Sequence, residues 1–81
     1  MNINILRLSR ETTEKDLIKL FGKFGAVKSC DIVKDRISGE SKGFGFINMP
    51  SDEHGLTAIN ALNGREVDGS KIRVKALTKD Q

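Results

Sequence analysis

The sequence predicts an α+β domain in which two helices cover one face of a four-stranded antiparallel sheet. The first observation is the order of the periodic segments, which run strand, helix, strand, strand, helix, strand. The second is that each predicted helix has one apolar stripe, which it must bury against a single surface. The third is the alternation of apolar and polar side chains in the strands, typical of a sheet with one covered face. With 81 residues the chain is too short for a second core, so residues 1–81 form one domain.

The first half of the chain predicts strand, helix and strand. Residues 2–8 alternate between apolar and polar side chains, and residues 27–34 do so again. Between them, Thr13 followed by acidic residues predicts the N-terminus of a helix over residues 14–24. The apolar stripe of this helix consists of Leu17, Leu20, Phe21 and Phe24. The inward side chains of the two strands are predicted to be Ile3, Ile5, Leu8, Cys30 and Ile32.

The second half predicts strand, helix and strand again. Residues 42–49 form the third strand, and Ser51 followed by two acids begins a second helix. The buried face of that helix is expected to carry Leu56, Ile59 and Leu62. A short irregular or hairpin segment over residues 65–70 precedes the last strand, residues 71–77. Residues 78–81 are a polar tail.

The composition excludes several classes of protein. One cysteine and one histidine cannot build a disulfide framework or a metal site with several such ligands. No apolar run approaches the roughly 18 residues that span a bilayer, and residues 1–8 do not resemble a signal peptide. The net charge of +3 is a weak indication of a polyanionic partner. We therefore expect a cytoplasmic protein without cofactor or membrane contact.

One face of the predicted sheet is left open. In the usual arrangement of this order of elements, a ferredoxin-like βαββαβ sandwich, the first and third strands are central. By strand parity the open face carries Asn4, Leu6, Asp31, Val33, Lys42, Phe44, Phe46, Asn48, Lys71, Arg73 and Lys75, with Arg7 at its rim. Two of the four phenylalanines, Phe44 and Phe46, thus lie where polar side chains are expected. Flat rings stack unpaired bases and cations pair with phosphates, so the face predicts binding of single-stranded RNA.

Other interpretations of these residues compete with RNA binding. Inverted parity would place Phe44 and Phe46 in the core, and cations on an edge strand also prevent aggregation. An enzyme is not predicted, because the sequence has no paired carboxylates and no nucleophile beside a base. The remaining alternative is a protein-interaction module that binds its partner through its helices.

Residues 42–49, Lys-Gly-Phe-Gly-Phe-Ile-Asn-Met, resemble the octapeptide signature of the RNA recognition motif family. Seven of the eight positions agree and Met49 departs from the pattern, at a position that parity places in the core. Residues 3–8 lie where the first-strand hexapeptide of the family belongs. The resemblance covers essentially the whole chain, which is similar to the small single-domain members of bacteria. A domain excised from a eukaryotic protein would have the same features.

The departures from the family pattern qualify what the resemblance implies. Asn4 occupies the position where the family usually places a stacking aromatic, so the platform has two rings in place of three. This departure either weakens binding or, if Asn4 hydrogen-bonds a base edge, exchanges affinity for selectivity. Arg7 replaces a common asparagine and adds a cation. Asp31 would repel a phosphate unless it pairs with a lysine or accepts a hydrogen bond from a base.

From the count of rings and cations we expect a monomer that binds about two to four nucleotides of single-stranded RNA; the sequence leaves open whether single-stranded DNA also binds. The predicted RNA-binding residues are Phe44, Phe46, Lys42, Asn4, Leu6, Arg7, Asn48, Lys71, Arg73 and Lys75.

Overall fold

A computed structural model of the chain describes residues 1–77, and the predicted polar tail lies outside them. The elements are β1 (Asn2–Leu6), α1 (Glu14–Gly22), β2 (Ser29–Lys34), β3 (Ser41–Asn48), α2 (Asp52–Leu62), β4 (Glu66–Val67), β5 (Ser70–Lys71) and β6 (Arg73–Leu77). Four strands form an antiparallel sheet in the order β2-β3-β1-β6. The predicted βαββαβ sandwich is confirmed, with a small β4-β5 hairpin added before the last strand. Neither helix within residues 1–77 is long and apolar enough to cross a membrane.

The core lies between the helices and one face of the sheet. α1 packs against β2, and α2 packs against β6. The largest fully buried side chains are Phe21, Ile3, Ile5, Leu17, Ile47, Met49, Leu62 and Ile72. They come from the inward positions of the strands, from Met49 directly after β3 and Ile72 directly before β6, and from the helix stripes, so the predicted inward face of the sheet is confirmed. The other face of the sheet is covered by neither helix.

Both helices begin with side-chain caps. The Thr13 hydroxyl accepts a hydrogen bond from the Asp16 N–H at 3.2 Å, and the Asp16 carboxylate accepts one from the Thr13 N–H at 3.0 Å. The two bonds satisfy donors that a helix N-terminus otherwise leaves free. Ser51 caps α2 with a single bond, in which its hydroxyl accepts from the backbone N–H of His54 at 3.2 Å. α1 ends at Gly22, two residues earlier than predicted.

The prediction that Leu56 is buried is wrong. Leu56 is 51% exposed, and the buried face of α2 consists of Gly55, Ala58 and Leu62. The three residues follow at i, i+3 and i+7, and two of them are small, which lets the helix approach its neighbours closely. A Cβ atom on Gly55 would lie only 2.6 Å from the Met1 sulfur. The helix is therefore rotated so that Leu56 lies beside this contact surface and not within it.

The last predicted strand is also divided in two. Asp68 and Gly69 have φ angles of 51° and 82°, which produce a tight two-residue turn. This turn folds Lys71 back opposite Glu66 in the β4-β5 hairpin, and β6 begins only at Arg73. The sequence had predicted Lys71 on the edge strand of the main sheet. That prediction is wrong.

The ladder between β2 and β3 contains an irregularity. Ile32 pairs with Gly45 and Lys34 pairs with Ser41, so β3 advances four residues (45 to 41) while β2 advances two (32 to 34). Gly43, within the bulged segment, has a φ of 86°. Strict alternation of side chains therefore ends before Lys42, which is exposed at this end of the strand.

Candidate nucleic-acid interface

The open face is organised as rows of side chains that cross the sheet. One row runs from β2 to β6 through Asp31, Phe46, Asn4 and Lys75. A second consists of Phe44, Leu6 and Arg73, and a third of Ser29, Asn48, Asn2 and Leu77. With strands about 4.8 Å apart, a four-strand row is ~14 Å wide. Seven of the predicted site residues lie in these rows: Asn4, Leu6, Phe44, Phe46, Arg73 and Lys75 in the first two, and Asn48 in the third.

The two rings at the centre of the face contact each other edge to face. The ring centroids of Phe44 and Phe46 are 6.2 Å apart and the ring planes make an angle of 86°. Phe46 is 39% exposed and Phe44 is half-buried. The rings therefore present surfaces at right angles, and Phe46 offers the larger one.

The cations of the site lie on two sides of these rings. Arg73 lies beside Leu6 and Lys75 beside Asn4 on the outer strand β6. Arg7 and Lys42 are exposed at the end of the central strands. Within residues 1–77 none of these cations takes part in an ion pair, so their charges remain available to a phosphate. Lys71 is exposed in the separate hairpin and does not belong to any of the rows.

Arg7 is held in an unusual backbone conformation. Its φ angle is 60°, in the left-handed region that non-glycine residues seldom adopt. The next residue, Leu8, donates its backbone N–H to the Gly43 carbonyl at 2.8 Å and buries its side chain in the core. The chain thus turns sharply at Arg7, and this turn leaves the guanidinium exposed at the rim.

The two polar residues that border Phe46 lack partners. Over the described part of the chain, the exposed Asp31 carboxylate has neither an ion pair nor a hydrogen bond. The lysine partner considered for it from the sequence is thus not found there. Asn4 Oδ1 is buried and is the one buried side-chain polar atom within residues 1–77 that has no hydrogen-bond partner. Leaving such an atom unpaired costs about 1–3 kcal/mol.

Sequence reasoning missed part of the third row. Asn2 lies opposite Asn48, whose Nδ2 donates to Asn2 Oδ1 at 2.6 Å. Leu77 lies on the other side of Asn2 and is exposed. The alternation of side chains along the strands could have predicted both residues. Asn2 lies two positions from Asn4 and Leu77 two positions from Lys75, so each points to the same face as its partner.

The other reactive groups of residues 1–77 lie outside the rows of the open face. Burial, followed by the negative charges of Glu14 and Asp31, raises the pKa of the Cys30 thiol to about 11, which keeps it protonated. No group of three potential metal ligands occurs within residues 1–77. A cleft of about 370 Å³ lies between the connection after β1 and the β2-β3 loop. Arg10 and Glu40, which line the cleft, neutralise each other at 3.5 Å.

Comparison with known proteins identifies the relatives of this architecture. The sequence profile of the RNA recognition motif family matches residues 3–73. The crystal structure of RNA binding protein PG1 is 39% identical, with a TM-score of 0.92, over 98% of this chain and 96% of that one.

Two Sex-lethal structures are more distant in sequence. RNA recognition domains 1 and 2 of Sex-lethal from Drosophila melanogaster are 28% identical, with a TM-score of 0.90. A Sxl-lethal protein/RNA complex has the same identity and TM-score. This chain is covered to 98% and 95% in the two comparisons, but it spans only 50% and 46% of the respective Sex-lethal chains.

Proposed function

The chain belongs to the RNA recognition motif family, and on that premise we propose that it binds single-stranded RNA on the open face of its sheet. The observation that carries the proposal is the position of Phe46. Its exposed ring lies in the middle of a polar row on a central strand, beside Phe44 and within reach of unpaired cations. Two adjacent rings on a sheet face that neither helix covers, with unpaired cations on the same face, are accounted for by base stacking.

Stacking supplies the main binding energy in this proposal. A base stacked on an aromatic side chain contributes about 1–3 kcal/mol. Because the planes of Phe44 and Phe46 are perpendicular, the flat stack forms on Phe46, and Phe44 contacts the next base or sugar with its edge. Two contacted nucleotides, with one on either side held by their phosphates, give a footprint of about two to four nucleotides.

Electrostatic attraction between the cations and the RNA phosphates supplies the remainder of the binding energy. Arg73 and Lys75 lie on β6, beyond the β1 residues that border the rings, and Arg7 and Lys42 lie at one end of the central strands; each phosphate they neutralise releases a condensed counterion. Affinity should therefore fall steeply with salt. With Asn4 in place of a third ring, we expect binding to be weaker than in a three-ring relative by about 1–3 kcal/mol. The active form in this proposal is a monomer that acts as a binding domain and not as an enzyme.

One observation favours a second function, binding of a protein partner through the helices. Ile18 on α1 is 45% exposed and Leu56 on α2 is 51% exposed, and both lie on the layer opposite the RNA face. Single exposed apolar residues are common on soluble proteins, so this feature is weaker than the ring pair.

A double substitution separates the two functions. Phe44→Ala with Phe46→Ala should abolish binding of a random RNA pool in fluorescence anisotropy while the domain stays folded, because neither ring belongs to the buried core. The matched control, Ile18→Ala with Leu56→Ala, removes two exposed apolar side chains from the helix layer and should leave RNA affinity unchanged. Unchanged affinity in the phenylalanine variant, or chemical shift changes confined to the helices on RNA addition, would refute the proposal.

A further inference from the structure

Asp31 is an unneutralised carboxylate at the β2 edge of the proposed interface. It lies directly opposite Phe46 on β2, in the same row as Asn4 and Lys75. No cation among residues 1–77 lies within 4.0 Å of it, and it accepts no hydrogen bond there. A carboxylate beside the main stacking ring repels every RNA phosphate that approaches, and it would weaken binding unless the RNA compensates for it.

Compensation requires a hydrogen-bond donor, which a phosphate lacks. RNA offers the base N–H groups and the ribose 2′-hydroxyl, and of these only the base N–H groups differ between nucleotides, so only they can make the compensation selective. Directly paired residues on neighbouring strands have their Cβ atoms about 4.5–5.5 Å apart. A base stacked on Phe46 therefore projects its edge over Asp31 on one side or over Asn4 on the other. Both flanking residues present an oxygen without a partner, the Asp31 carboxylate and Asn4 Oδ1, which must rotate out of its covered position to be used.

We propose that Asp31, assisted by Asn4, selects a base with an exocyclic amino group for the stack on Phe46, so that guanine, adenine or cytosine is preferred over uracil. The inference rests on the proposed function, since it assigns specificity to the same site. It makes Asp31 a specificity-determining residue.

Hydrogen-bond chemistry provides the discrimination. An ionised carboxylate is only an acceptor. Cytosine offers its N4 amino group, adenine its N6 amino group, and guanine its N1–H and N2 amino group together. Uracil has a single N–H between two carbonyl oxygens, and a carboxylate repels both of them. Guanine is the best match, because two parallel donors meet the two carboxylate oxygens of Asp31.

The test uses pentauridylate as a host, with adenine, cytosine or guanine placed singly at each of its positions. Dissociation constants are measured by fluorescence anisotropy at constant salt. We expect one position at which each amino-bearing base lowers Kd by about tenfold relative to uracil, within the range of a specific base contact. Asp31→Asn, which keeps the shape but removes the charge, should reduce this preference to about threefold or less, because an amide also donates to uracil carbonyls.

The control is Glu53→Gln, which makes the same change in net charge on α2, on the helix layer. It should leave the preference for amino-bearing bases at its wild-type value. The inference is overturned if no position prefers these bases, or if Asp31→Asn strengthens binding to every oligonucleotide by one common factor. Phe46→Ala distinguishes failure of the specificity inference from failure of the proposed RNA site. Loss of all binding in that variant supports the RNA site even if Asp31 does not determine specificity. Retained binding refutes the site itself.

Discussion

Asn4 pairs with Phe46 across the two central strands, so that an amide borders the more exposed ring of the open face. The pairing places a buried, unsatisfied oxygen beside an aromatic surface that is free to bind. The same residue therefore lowers stability and interrupts what would otherwise be a continuous aromatic platform. The predictions below separate these effects of Asn4 and test three other features of the fold.

Asn4→Phe should raise both stability and RNA affinity. It removes the unpaired Oδ1, which costs about 1–3 kcal/mol, and adds a third ring worth about 1–3 kcal/mol per stacked base. Urea denaturation and anisotropy measure the two quantities. The matched variant Asn4→Leu removes the oxygen without adding a ring, so it should gain stability only. Equal affinity gains in both variants would contradict a stacking role for this position.

Arg7→Asn should make the domain more stable and its RNA binding weaker. Asparagine tolerates the left-handed conformation that Arg7 adopts at φ 60°, which we expect to add about 0.5–1 kcal/mol to the free energy of unfolding. Loss of the cation should lower the slope of log Kd against log salt by about one. Arg7→Lys keeps both the charge and the backbone cost, and should differ little from the wild type. A gain in stability without any change in the salt dependence of Kd would show that Arg7 does not contact the RNA.

Cys30 makes stability depend on pH above neutrality. Burial raises the pKa of its thiol from 9.0 to about 11 in the folded state, so the folded protein holds a proton that the unfolded chain has lost between these values. The stability that this thiol contributes is therefore complete below pH 9 and declines as the pH rises towards 11. Urea midpoints at pH 8 and pH 10.5 should fall more in the wild type than in Cys30→Ser. An equal fall in both proteins would mean that other groups cause the loss.

Thr12 and Asp68 connect the first loop to the hairpin before the last strand. The hydroxyl of Thr12, which is 3% exposed, donates to the Asp68 carboxylate at 2.8 Å, and Asp68 itself has a φ of 51°. Asp68→Ala should cost about 2 kcal/mol, because it leaves a buried hydroxyl unpaired and puts alanine in a left-handed conformation. Asp68→Asn retains an acceptor and tolerates that conformation, so it should cost less than half as much. RNA affinity should stay constant in both, since the hairpin lies outside the rows of the open face.

The architecture and the centre of the site could be predicted because they depend on short-range periodicity. Ile3 and Ile5 are buried and Phe46 is exposed because alternate side chains of a strand point to opposite faces. The octapeptide of residues 42–49 also allowed the family of the domain to be predicted from the sequence. The failures concern rotations and irregularities that periodicity does not contain. The exposure of Leu56, for example, depends on the rotation of α2 about its axis, which turns the small residues towards the neighbouring elements.

The misplacement of Lys71 and the irregular position of Lys42 have a related origin. Lys71 is removed from the main sheet by a two-residue turn whose positive φ angles start a separate hairpin. Lys42 lies beyond the point where two additional residues enter the ladder of β3. In both cases the local backbone conformation ends the alternation of side chains on which the prediction depended. The hydrophobic pattern of the sequence does not show that conformation.

Within the regular part of each strand, the sequence by itself determined which side chains share a face, because alternation along a strand is a property of the backbone of that strand alone. Only the tertiary structure decided which of them are neighbours: Asp31 beside Phe46, Phe46 beside Asn4, and Asn4 beside Lys75. Register between strands far apart in the chain is set by their turns, bulges and common core, and none of these is encoded in any one strand. The absence of a partner for Asp31 within residues 1–77 therefore became visible only once the sheet was assembled.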